Sequence, residues 1–87
     1  SNKDYINFHR DKNLTAISLL QSRQGKLSGK LSYIIKASQN DSDDEVLYNF
    51  LLQYYSKTSF LPNQVFVPFE CIEQEDIIEL FYINLQS

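Results

Sequence analysis

The chain has one cysteine, one histidine, no methionine and no tryptophan among its 87 residues. A lone Cys71 excludes a disulfide framework and a cysteine zinc cage. A lone His9 excludes a multi-histidine metal site. Cysteine usage this sparse suits a reducing cytoplasm, which is the expected compartment. With only Gly25 and Gly29, no glycine-rich phosphate loop can form, and no cofactor is expected. No apolar run approaches the ~18 residues that a spanning helix needs, so no membrane is expected as a partner. No charged-then-apolar N-terminus reads as a signal peptide. Ser1-Asn2, in a chain without methionine, reads as the scar of a cleaved expression tag, leaving residues 3–87 as a single domain.

What is present argues for a folded chain. Apolar residues make up 43% and aromatics 14%, too much for a disordered segment. Charge is divided along the sequence. Residues 1–40 hold seven of the eight basic residues and two of the eleven acids, a balance of +5. Residues 41–87 hold one lysine and nine acids, a balance of −8.

The first half reads as strands. Tyr5-Ile6-Asn7-Phe8 is aromatic and β-branched, and Asp11-Lys12-Asn13 is turn chemistry. Leu14 to Arg23 alternates, Gln24-Gly25 supplies a tight turn, and Leu27 to Lys36 resumes the alternation. Gly29 within that last run marks a bulge or a crowded backbone. A three-stranded antiparallel meander is expected.

Ser42-Asp43-Asp44-Glu45 then fits the S-x-x-E capping box, opening a helix that should run from Asp43 to Lys57. Its polar stripe is narrow (Glu45, Asn49, Gln53, Ser56), and almost every other position is apolar. Such a helix is expected to be buried on several sides and to leave apolar surface for a neighbour. Gln64-Val65-Phe66-Val67, between Pro62 and Pro68, reads as a short buried strand. Glu73 to Leu85 reads as a second helix, although Phe81-Tyr82-Ile83 would also suit a strand. The expected fold is α/β in the order β-β-β-α-β-α, a meander plus one further strand with helices packed on the sheet.

These elements resemble one family. Arg23-Gln24-Gly25-Lys26-Leu27, Tyr33-Ile34-Ile35-Lys36, Asp43-Asp44-Glu45, Phe50-Leu51-Leu52-Gln53-Tyr54-Tyr55 and Pro62-Asn63-Gln64-Val65-Phe66-Val67-Pro68 follow one another as in the central region of UvrC, a component of the bacterial excinuclease. Asp4-Tyr5-Ile6 also fits the start of that region. Gln24 stands where the family usually has an acid, and Phe66 interrupts a strand that is usually aliphatic. The resemblance implies a truncated, non-catalytic RNase H-like module just ahead of the C-terminal nuclease domain. It implies a parent that incises damaged double-stranded DNA in nucleotide excision repair with UvrB. The fragment itself is expected to be no enzyme, because the family's nuclease signatures lie elsewhere.

Four candidate surfaces remain. Arg23, Lys26, Lys30 and Lys36 lie on one hairpin, and the three lysines share a parity that would place them on one sheet face. That makes a candidate DNA-backbone stripe, against the plainer reading of an edge kept from pairing by its lysines. Tyr48, Leu52 and Tyr55 are candidates for interdomain packing. Asp41, Asp43, Asp44 and Glu45 could hold magnesium in a stand-alone enzyme, but a capped, solvated helix start accounts for them. Glu70, Glu73, Glu75, Asp76 and Glu79 read as the solvated start of the second helix, or as an acidic patch for a basic partner.

Overall fold

A computed structural model of the chain describes residues 1–69 and 83–85. Strands β1 (Lys3–Asp11), β2 (Leu14–Arg23) and β3 (Lys26–Lys36) form the expected meander. Helix α1 spans Asp43–Lys57, followed by β4 (Gln64–Val67) and β5 (Ile83–Leu85). The five strands lie in the order β3-β2-β1-β4-β5. Pairing is antiparallel within the meander and parallel for β1 with β4 and β4 with β5.

Local chemistry explains the turns. Gln24 and Gly25 take φ of 54° and 82° between the paired Arg23 and Lys26. Positive φ at both central residues is the type I′ hairpin geometry, whose twist matches the flanking strands. Lys12, at φ 58°, serves the turn between β1 and β2. Asn2 is knit into the fold despite its expected status as tag remnant. Its main-chain N–H donates to Asn63 Oδ1 at 2.9 Å, and its side-chain oxygen accepts from the Gln24 amide at 3.1 Å.

The helix starts and stops as its sequence directs. The Glu45 amide donates to the Ser42 hydroxyl oxygen, and the Ser42 amide donates to the Glu45 carboxylate, closing the capping box. These bonds to Ser42, backbone first and side chain second, hold the Glu45 carboxyl below its ordinary range. Arg10 fastens this helix start to β1. Its guanidinium donates to the carbonyls of Lys12, Ser38 and Asp41 and pairs with Asp43 at 3.1 Å.

The core lies between α1 and one face of the sheet. Ile6, Ile17, Leu19, Val65 and Val67 pack from the strands against Leu47, Leu51 and Tyr55 from the helix. The period of two along β1 and β2 puts these strand residues on one face, and the period near four along α1 gathers its own contribution.

Two expectations need correction. Ile83–Leu85, assigned to a second helix, is a strand paired in parallel with β4. The meander is therefore extended by two strands, not one. An apolar run cannot choose between helix and strand by periodicity alone, and here the open edge of β4 supplies partners for extended backbone. The rest of that expected helix, Glu73 to Tyr82, lies outside the described residues.

Candidate functional site

The most constrained polar cluster is built around Asp4, which is 1% exposed on the helix-facing side of β1. The Tyr55 hydroxyl donates to Asp4 Oδ2 at 2.6 Å. Arg23 Nη1 donates to Asp4 Oδ1 at 2.8 Å and to the carbonyls of Lys3 and Ser22. The ring of Phe60 covers the Arg23 guanidinium, 5.1 Å from its centroid. Burial raises the Tyr55 hydroxyl's pKa above the ordinary tyrosine range, and its bond to the Asp4 carboxylate raises it further. A buried carboxylate is tolerated when it is paired and hydrogen-bonded, and both conditions hold here. The cluster ties β1, β2, α1 and the segment before β4 together.

This places Arg23 and Tyr55 inside the domain's own architecture. Arg23 has its guanidinium engaged internally, and Tyr55 is 4% exposed. Tyr48 and Leu52 are half-buried and pack against the same core.

The lysines do not form the expected single stripe. Arg23 pairs with Lys26 and Ser22 with Leu27, but Gln21 pairs with Gly29, so Ser28 is an extra residue on β3. Such a bulge reverses the in–out alternation beyond it. Residues directly opposite share a face. Lys26 thus joins the helix-facing side with Arg23, while Lys30 and Lys36 take the other face opposite Leu20 and Leu14. Six residues of strand, ~20 Å, separate Lys30 from Lys36. Gly29 faces Gln21 at the bulge, where a Cβ would meet the end of the Gln21 side chain at 3.0 Å.

The apolar surface expected on α1 lies instead on the sheet face turned away from the helix. None of the apolar side chains of α1 is exposed. Leu14, Leu27 and Ile34 are 48, 69 and 72% exposed on that outer face. Nearby, Tyr5 and Phe66 stack at 5.0 Å between ring centroids. Small residues Ala16, Ser18 and Ser32 line a shallow hollow of about 190 Å³ beside Asn7, His9 and Ile34. The face thus combines aliphatic knobs with a depression.

The acidic helix start does not converge on a point. Asp43 is paired with Arg10, and Glu45 is held by Ser42. Among the described residues no three Asp, Glu, His or Cys side chains group to hold a metal. Glu70, Cys71, Glu73, Glu75, Asp76 and Glu79 lie outside the described residues. Chemistry in α/β sheets collects beyond the carboxyl ends of parallel strands. Among the described residues β1 ends at Arg10-Asp11, with Arg10 paired to Asp43, and Phe69, just past β4, meets Phe8 edge-to-face at 5.2 Å. No helix among the described residues is long and apolar enough to cross a membrane.

Two features were hidden in the sequence. Asp4 and Arg10 fall on the same parity as Ile6 and Phe8, which is a signal for the helix-facing side, but not for their partners. The second feature is an aromatic groove, lined by Tyr33, Phe50 and Tyr54, whose residues come from β3 and α1.

A meander continued by parallel strands, with α1 crossing one face, is an RNase H-like α/β arrangement. The UvrC Ribonuclease H-like domain matches residues 2–85, and the chain belongs to that family. It is 32% identical over 66 residues to UvrABC system protein C of Clostridium kluyveri, covering 76% of this chain and 11% of that protein. It is 31% identical over 78 residues to UvrABC system protein C of Clostridium botulinum (strain Okra / Type B1), covering 90% of this chain and 12% of that protein. The chain thus spans about one eighth of the length of the curated relatives it matches.

Proposed function

We propose that this domain is a non-catalytic structural module of a UvrC excinuclease protein. It carries the C-terminal nuclease domain and joins it to the parts that meet UvrB and damaged DNA. The observation that carries this reading is the outer sheet face. Ile34 and Leu14 stand exposed there at a hollow of small residues, and Leu27 is exposed farther along the same face. Exposed aliphatic side chains on one sheet face serve contact with another body. Such a module would work in the cytoplasm, where the repair proteins meet DNA.

The test places Leu14→Asp and Leu27→Asp together in an intact UvrC that contains this segment. Both side chains are exposed, so the isolated domain should change by no more than about 0.5 kcal/mol per substitution. The intact protein should lose thermal stability and incise a damaged duplex more slowly. Unchanged stability and unchanged incision would refute the reading. Direct backbone binding by the hairpin is the rival outcome. It would appear as salt-dependent anisotropy of a labelled duplex, lost on Lys26→Glu with Lys30→Glu.

A further inference from the structure

Strand β3 ends the sheet, with β2 as its one neighbour among the described residues. The Ala37 amide donates to the Asn13 carbonyl at 2.9 Å, just past the pair Leu14 and Lys36. Antiparallel alternation from that bond directs the main-chain groups of residues 35, 33 and 31 toward β2. Those of Lys36, Ile34, Ser32 and Lys30 point away from the sheet. A regular row of donors and acceptors therefore runs along an open edge.

Beneath this edge, on the helix side, lies a groove of about 490 Å³. Its floor is aromatic. Tyr33 and Phe50 are 5.3 Å apart between centroids, and Phe50 stacks on Tyr54 at 5.9 Å. Lys57, Gln53 and Thr58 rim it. A second hollow, of about 330 Å³, shares Ile35, Phe50 and Gln53 with it and continues the seam toward Ser38.

We propose that the β3 edge takes an extended acidic segment of another polypeptide as an added strand. The added backbone would bond to residues 30–36. Its side chains on one side would enter the aromatic groove, with acids toward Lys57, and those on the other would lie near Lys30. Charge selects this occupant. A second β3 added antiparallel about Tyr33 would set Lys30 against Lys36 at both ends of the paired stretch, which opposes pairing. The acidic start of α1, with Asp41 on the rim of the second hollow, bounds the site at its far end. Nucleic acid could stack on the aromatics but would leave the row of backbone amides without acceptors at strand spacing. The proposal concerns the edge, not the outer face, and stands or falls apart from the scaffold reading.

The test uses a fluorescein-labelled peptide of about ten residues, alternating glutamate with valine around a central tyrosine. Controls are the same peptide with lysine for glutamate, and single-stranded oligothymidine. Saturable anisotropy is expected for the acidic peptide alone. Ile34→Pro removes an outward amide while leaving the bonds to β2, and should weaken binding by about tenfold. Lys57→Glu should weaken it by a similar factor. Circular dichroism confirms that each variant folds. If Ile34→Pro does not fold, hydrogen exchange on the parent chain decides. Amides 30, 32, 34 and 36 should slow when the acidic peptide is added, and unchanged exchange there overturns the proposal. So does absent binding, equal binding of the lysine peptide, full binding by folded Ile34→Pro, or oligothymidine displacing the peptide.

Discussion

Replacing Arg23 by glutamine should cost the domain much of its stability, although a basic residue on a hairpin looks expendable. Arg23 holds Asp4, which is 1% exposed, through a 2.8 Å contact. Removing one partner of a fully buried ion pair typically costs about 3–5 kcal/mol, because the other charge is left without compensation. Two features reduce that figure. The Arg23 side chain is 25% exposed, so water can approach the vacated position. Tyr55 also keeps its bond to Asp4. A loss of about 2–3 kcal/mol is therefore expected. For a domain of this size, each kcal/mol moves Tm by about 4–8 °C, so the midpoint should fall on the order of 10–20 °C. Thermal melts followed by circular dichroism measure it. Adding Asp4→Asn should restore part of the loss, since it removes the charge that Arg23 compensates. A Tm for Arg23→Gln within about 2 °C of the parent would refute the reasoning.

Three further outcomes follow from single contacts. Tyr55→Phe should destabilise the domain by about 1.5–3 kcal/mol near neutral pH, by removing a bond to a charged acceptor. Burial, and then the Asp4 bond, raise the folded pKa of this tyrosine. Its contribution is therefore fully present below the unfolded value of about 10 and is lost as pH rises beyond it, so the gap between parent and variant should narrow in alkaline melts. Gly25→Ala should cost about 1 kcal/mol in denaturant titrations, since φ of 82° is strained for any L side chain. Thr15→Val should leave stability equal or raise it by about 1 kcal/mol, because the fully buried Thr15 hydroxyl has no hydrogen-bond partner among the described residues.

Sequence reading succeeded where the information is local. The capping box placed the start of α1 at Asp43, Lys57 ended it, and Gln24-Gly25 fixed the hairpin. It failed where a single residue changes a global parity. Ser28 inserts one position into β3, and that alone moves Lys26 away from Lys30 and Lys36. Gly29 marked the place but could not give the direction of the shift. Contacts between distant positions were also hidden. Nothing local links Asp4 to Tyr55, which are 51 residues apart, so the internal role of Arg23 and Tyr55 emerged only from the fold. Strand β5 was missed because Ile83, Asn84 and Leu85 extend an apolar pattern that a helix would also accept. The apolar surface was assigned to α1 because its helix is apolar nearly all round. The sheet covers the buried side of that helix, Phe50 and Tyr54 are half-buried in the groove beside β3, and the outer sheet face carries the exposed Leu14, Leu27 and Ile34.

A scaffold role requires that outer face to be covered in the working protein. Hydroxyl-radical footprinting of the isolated domain and of an intact UvrC containing it tests this directly. Leu14, Leu27 and Ile34 should be oxidised readily in the isolated domain and protected in the intact protein. Equal oxidation of all three in both would contradict the scaffold role and leave the face without a structural purpose.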